Sequence, residues 1–367
     1  MHFRDIFKYK SILWNLIMDK ELSPSMFIGV RGNGIISFGS GQPDLPPPKE
    51  VLSCAPEPED FKYGLIAGRL DLRQELSKEI KGSASDDFVI TNGASEALDL
   101  TLRAIGKPKD RIIIHKPYYY SYKPLIELNH MEPLYVETHK GKIDADDFEK
   151  KVHKAKAVLI NSPSNPTGRI QDIKTLKFIE KVTDDLDIPL LSDEVYKDLI
   201  YERENYMLSG PHVVTINSFS KTFDMCGARV GYLYSNDKSI VDEAVRLKTY
   251  TSMNTNILAQ RMAYHATKVP RKFVDEQVKI WKQRRDLIYD GMCKLGLDVW
   301  KPEGAFYILP KIKNPRKFVW DMFKKHKVIT YLGEWFGAND RVRFSYALDV
   351  SKIEEGLKRV GKYLKKG

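Results

Sequence analysis

The chain has 367 residues, of which 42% are apolar, 29% charged and 11% aromatic. That composition is globular, long enough for two lobes, and excludes a disordered or fibrous protein. The net charge of +10 is dispersed among acidic neighbours, as at Lys49, Lys62, Lys78 and Lys81, so no nucleic-acid partner is expected.

Cys54, Cys226 and Cys293 lie far apart, which excludes a disulfide framework and a cysteine-ligated zinc site and points to a reducing cytoplasm. No metal is expected, and no apolar run is long enough for a membrane span. Residues 1–21 are interrupted by Lys8, Lys10 and Asp19. They read as an arm or helix packed on the body, not as a signal peptide. Residues 41–60 hold six prolines, a density that breaks regular structure. A helix is expected from Leu70 to Ile80, then a strand ending at Thr91, then a helix from Glu96 to Ile105. Strands follow at 111–115 and 156–160, with a tyrosine-rich run, 117–122, after the first. A helix over 172–183 leads to strands at 188–194, 213–218 and 229–234. This alternation of strand and helix every 20–35 residues or so is an α/β pattern. From about residue 270 the character changes. Helices at 237–250, 255–265 and 270–295 succeed one another. Short strands (297–300, 305–309, 342–346) and helices over 315–325 and 351–365 then form a second, α+β lobe. The segment before residue 40 is expected to join it, because chain termini often lie close together.

The chemistry concentrates where strands end. Asn165-Pro166-Thr167-Gly168 follows one strand, Asp193 closes another with Tyr196 three residues on, and Ser218, Ser220 and Lys221 close a third. Ligands of open α/β sheets bind outside the carboxyl ends of strands. Lys221 follows an apolar strand, where an amine is costly unless exposed or bonded, and an amine there suits a Schiff base. Gly93-Ala94-Ser95 opens a helix directly after a strand. Its free N–H groups suit a phosphate, and plain capping by Asn92 or Ser95 explains the same residues. Neither a GxxxxGK[ST] loop nor a GxGxxG turn is present.

Taken in order, GQPD (41–44), Tyr63 with Gly68, NGAS (92–95), PYYYSY (117–122), NPTG (165–168), SDEVY (192–196), SFSKTF (218–223) with Arg229, PEGAFY (302–307) and RFSYA (343–347) resemble the fold-type I pyridoxal-phosphate enzymes of the aspartate/aromatic aminotransferase superfamily. The resemblance implies an α/β fold whose large domain holds a mixed, mostly parallel seven-stranded sheet between helices, with a smaller α+β domain. It divides the chain into an arm or flap joining the small domain (1–40), a cofactor-binding domain (41–269) and a small domain (270–367).

It also implies roles. Lys221 would carry pyridoxal 5'-phosphate and shuttle the proton at the substrate Cα, and Asp193 would pair with the pyridine nitrogen. Asn165 and Tyr196 would bond the 3' oxygen, and Tyr119 would stack on the ring. Gly93, Ala94, Ser95, Ser218 and Arg229 would hold the phosphate, with Tyr63 reaching the neighbouring subunit's phosphate in an obligate homodimer. Arg343, helped by Asn165 and Gly41, would grip the substrate carboxylate. The implied activity moves an amino group from an L-amino acid to a 2-oxo acid such as 2-oxoglutarate. Alternatives on the same scaffold are an aspartate-specific enzyme or a lyase or decarboxylase. No clear cation for a second carboxylate is visible. Ser95 stands where a bacterial subgroup of the family has lysine, and Arg31, in a glycine-rich flap, and Lys248 are the remaining candidates. An aromatic or broad neutral donor is therefore favoured, with Tyr118, Tyr119, Tyr122 and Phe306 as its expected surroundings.

Overall fold

The computed structural model describes residues 24–27, 29–30 and 32–365. The expected arm over residues 1–21 and the candidate Arg31 lie outside the described residues. The main sheet has seven strands: β1 (Phe88–Thr91), β2 (Arg111–His115), β3 (Glu132–Val136), β4 (Ala157–Asn161), β5 (Leu190–Asp193), β6 (Val213–Ser218) and β7 (Gly231–Ser235). Their spatial order is β1-β7-β6-β5-β4-β2-β3. All neighbours are parallel except β7, which runs antiparallel to both β1 and β6. The inner strands are buried along their whole length. Helices cover both faces of such a sheet, so its strands read as unbroken apolar runs.

Sequence patterning did not register β3. It is an edge strand carrying Pro133 and paired only with β2, and it is mostly half-buried. Proline and partial exposure weaken the periodic signal at an edge. The helices Tyr122–Leu128 and Ala145–Val152 also went unread; Asp144 caps the second by accepting from the amides of Asp146 and Asp147. The strand expected at 297–300 is irregular chain. Trp300 lies 3.9 Å from the Arg341 guanidinium, and Asp298 is bonded through its carbonyl to the Lys311 amide at 2.8 Å. Side-chain burial rather than ladder pairing explains the apolar pattern there.

A second core gathers Trp281, Phe306, Phe318, Phe344 and Ile353 with Phe27, Ile36 and Phe38 from the beginning of the described chain. Ile36–Ser37 pairs in parallel with Val328–Ile329. A three-stranded antiparallel sheet places Val342–Ser345 between Tyr307–Ile308 and Tyr331–Leu332. Its register sets Tyr331 directly opposite Arg343, so their side chains emerge on one face. Among the described residues no helix is long and apolar enough to cross a membrane.

Candidate active site

Asn161 pairs with Asp193 in the β4–β5 register, and Asp193 pairs with Ile216 of β6. Three adjacent parallel strands therefore deliver their terminal polar residues to one edge. Because β7 runs the other way, its first residue, Gly231, pairs with both Ser218 and Thr91. The chain just before β7, carrying Arg229, thus lies beside the turn that opens the helix Ala94–Ile105. A cavity of about 770 Å³ fills this edge and reaches the three-stranded sheet. Lining it are Gly41, Ala94, Ser95, Tyr119, Asn165, Asp193, Tyr196, Ser218, Lys221, Arg229 and Arg343, so all of the expected site residues except Gly93 and Tyr63 converge.

At one end the side chains suit a planar phosphorylated cofactor. Arg229 has left-handed backbone, φ 55°, and its guanidinium donates to the carbonyls of Cys226 (3.1 Å) and Asn92 (3.3 Å). A Cβ at position 93 would strike that guanidinium, so only glycine lets the arginine lie against the helix N-terminus, where N–H groups and a permanent charge together favour a dianion. Gly93 itself stands behind Arg229 instead of lining the cavity. Ser218 Oγ bonds the Val230 carbonyl at 3.0 Å and accepts from the Ser220 amide at 3.2 Å. Lys221 Nζ donates to the Gly41 carbonyl at 2.6 Å and lies 3.6 Å from Cys226 Sγ.

Asp193 is the floor of this end. Tyr122 donates its hydroxyl to Oδ2, the Val195 amide donates to Oδ1 at 3.2 Å, and Asn161 Nδ2 donates to the Asp193 carbonyl at 3.0 Å. Burial pushes its carboxyl up to about 6, against the opposing pull of the Tyr122 hydroxyl, the Val195 amide and the Lys221 charge. A buried carboxylate facing an open cavity fits a cationic ring nitrogen.

At the other end, Arg343 donates to Asn165 Oδ1 at 2.9 Å and to the Gly39 carbonyl at 2.5 Å. The rings of Tyr307, Tyr331 and Phe336 stand 4.6, 4.7 and 4.7 Å from it. Its Nε is buried without a partner among the described residues, a donor that an incoming carboxylate would satisfy. The backbone carbonyl that orients this arginine is Gly39's; Gly41 instead binds Lys221. Position 41 must be glycine because a Cβ would strike the Tyr307 hydroxyl, which is itself bonded to Tyr196 at 2.8 Å.

Two further expectations are corrected. Lys248 does not reach the cavity: it is fully buried, 2.9 Å from Glu96 and bonded to Ser252, so burial and ion pairing hold it in the body of the fold. Of the four aromatics expected around a donor ring, only Tyr119 lines the cavity. Tyr118 stacks on Tyr135, Tyr122 serves Asp193, and Phe306 is core behind Tyr196. Tyr63 is 82% exposed and does not line this chain's cavity. Sequence reasoning missed Asn161, Tyr307 and Tyr331 as wall residues. A polar residue ending an apolar strand could have revealed Asn161, but the aromatic wall is made by contacts across distant segments.

The family model for aminotransferase class I and II matches residues 33–360. A probable aspartate aminotransferase of Methanocaldococcus jannaschii is 33% identical over 92% of this chain and 96% of its own. Aromatic-amino-acid aminotransferase 2 of Thermococcus litoralis is 32% identical, covering 90% and 92%. Among solved structures, an aspartate aminotransferase of Thermotoga maritima superposes with a TM-score of 0.88 at 30% identity, over 95% of this chain and 99% of that one.

Proposed function

The chain belongs to the class I and II aminotransferases, and from that premise we propose that its preferred donors are aromatic or uncharged L-amino acids, with a 2-oxo acid such as 2-oxoglutarate as acceptor. The relatives' names divide between aspartate and aromatic donors, so they do not decide the question. The observation that carries the reading is the inventory of charge. Among the described residues the cavity is lined by three cations, Lys221, Arg229 and Arg343, and each already has a task. A second carboxylate buried there would lack a described partner, at a cost of several kcal/mol; the distal carboxylate of 2-oxoglutarate is therefore read as staying partly solvated at the cavity mouth or as met by a flap residue such as Arg31.

Pyridoxal 5'-phosphate, when bound, supplies an electron-withdrawing ring that stabilises negative charge at the donor Cα. In this reading Arg229, Ser95, Ala94 and Ser218 bind its phosphate, Tyr119 packs on its face, and Asp193 holds a positive charge at the ring nitrogen. Asn165 and Tyr196 bond its 3' oxygen. Arg343 grips the donor α-carboxylate and orients the Cα–H bond toward Lys221, whose amine takes that proton and returns it one position away as base and then acid. The enclosing aromatic side chains exclude water. Tyr63 completes the partner's phosphate site in a homodimer, and a cytoplasmic location fits three unpaired cysteines. The division at about residues 40 and 270 is part of the same reading, supported by the shared core of Phe27, Ile36 and Phe38 with Trp281 and Phe344.

A donor panel with 2-oxoglutarate tests the proposal. Phenylalanine and tyrosine are expected to exceed aspartate in kcat/KM, and an aspartate preference of about a thousandfold would defeat it. Lys221→Ala is expected to keep the fold, by circular dichroism, and to lose transamination by about 10⁴-fold or more.

A further inference from the structure

We propose that Tyr331 determines donor specificity: with Phe27 and Tyr120 it builds an aromatic, charge-free subsite for the donor side chain beside the arginine that takes the carboxylate. This deepens the donor assignment above and rests on it. The strand register places Tyr331 opposite Arg343, with its ring 4.7 Å from the guanidinium. Tyr331 is also the hub of the surrounding rings, with centroids 5.3 Å from Trp335, 6.2 Å from Phe27 and 6.5 Å from Tyr120. Phe27, Tyr120 and Tyr331 all line the cavity.

The Tyr331 ring is held from two further directions. Gly39, whose carbonyl orients Arg343, leaves no room for a Cβ because the Tyr331 ring occupies that space. The Tyr331 hydroxyl reaches the Pro24 carbonyl at 3.4 Å, tying the strand to the segment Pro24–Phe27, of which Phe27 lines the same end. The ring is therefore fixed in place before any donor arrives, and a fixed wall discriminates better than one that must be ordered on binding. A donor ring in contact with it gains burial and edge-to-face contact. A carboxylate in the same place loses its hydration with no described cation to replace it.

The test uses holoenzyme and two unreactive acids, 3-phenylpropionate and succinate, titrated calorimetrically. The wild type is expected to bind 3-phenylpropionate at least about tenfold more tightly than succinate. Tyr331→Val is expected to cut that ratio by about tenfold, whereas Tyr331→Phe, which keeps the ring, holds it within about threefold. The kcat/KM ratio of phenylalanine to alanine should follow, through KM rather than kcat. An unchanged ratio in Tyr331→Val, or a wild type that prefers succinate, overturns the proposal; the second result would mean that a cation beyond the described residues, such as Arg31, enters the subsite. Should Tyr331→Val fail to fold, half-buried Tyr120→Leu carries the same expectation. Absence of the tenfold binding preference in the wild type sinks the subsite, while expected probe binding without transamination of any donor would sink the functional reading alone.

Discussion

Tyr122 and Asn161 hold Asp193 from two sides, one at the carboxylate and one at the backbone. The Tyr122 hydroxyl bonds the ionised form and so opposes the upward push of burial. Tyr122→Phe removes that bond, the Asp193 carboxyl climbs further, and less of it is charged at neutral pH. The expected result is a kcat lower by about tenfold and an acid limb of the pH–rate profile displaced to higher pH. A purely structural role for Tyr122 would leave that limb where it is.

Glu194, the next residue, donates nothing to the cavity. It accepts from Ser192 Oγ at 3.0 Å, and burial pushes its carboxyl up to about 8 from an ordinary 4.5. The folded chain keeps a proton that the unfolded chain releases across this window. Stability from this group is therefore full below the unfolded value and declines as pH rises through the folded one. Glu194→Gln cannot ionise. It is expected to raise Tm by a few degrees near pH 8.5 and much less near pH 5, measured by calorimetry at matched ionic strength.

Between elements, the buried contact of Lys248 with Glu96 joins the helix Lys238–Thr251 to the first turn of Ala94–Ile105. Glu96 also accepts from the Asn92 amide at 2.6 Å, which braces the turn beside Arg229 at that end of the cavity. Removing one partner of a buried pair strands the other charge. Lys248→Ala is expected to lose about 3 kcal/mol of stability, read as a lower denaturation midpoint, with the ratio of aromatic to aspartate activity unchanged. A selective loss of aspartate turnover would return Lys248 to the substrate site.

For the molecule as a whole, Phe61 and Tyr63, each 82% exposed, are accompanied by exposed Leu65, Tyr250 and Met253. Gly64 lies against Ile257 and near Asn254, which brings the two stretches together into one apolar surface. An exposed apolar patch of this kind marks an interface. Dimers are expected by sedimentation, with cofactor released on dilution and released at higher concentration in Tyr63→Ala. A monomer that retains cofactor and full activity would remove Tyr63 from the site.

Local chemistry was enough to single out Asp193, which ends an apolar strand, and Asn165 and Lys221, which follow such strands within four residues, because a parallel sheet must present such ends together. The turn at Gly93 and the helix after it were likewise legible from residues adjacent in the chain. The strand β3 was not, since pairing at an edge rather than its own pattern stabilises it. Nor could spacing place Lys248, whose buried partner lies 152 residues away. The aromatic end of the cavity was beyond sequence for the same reason. Phe27, Tyr120 and Tyr331 come from three distant segments, and only packing of the second core against the main sheet brings them around Arg343. Amino-acid order determined which polar groups gather at the sheet edge. Tertiary packing decided what walls the aromatic end of the cavity, because that wall consists of long-range contacts with no local signature.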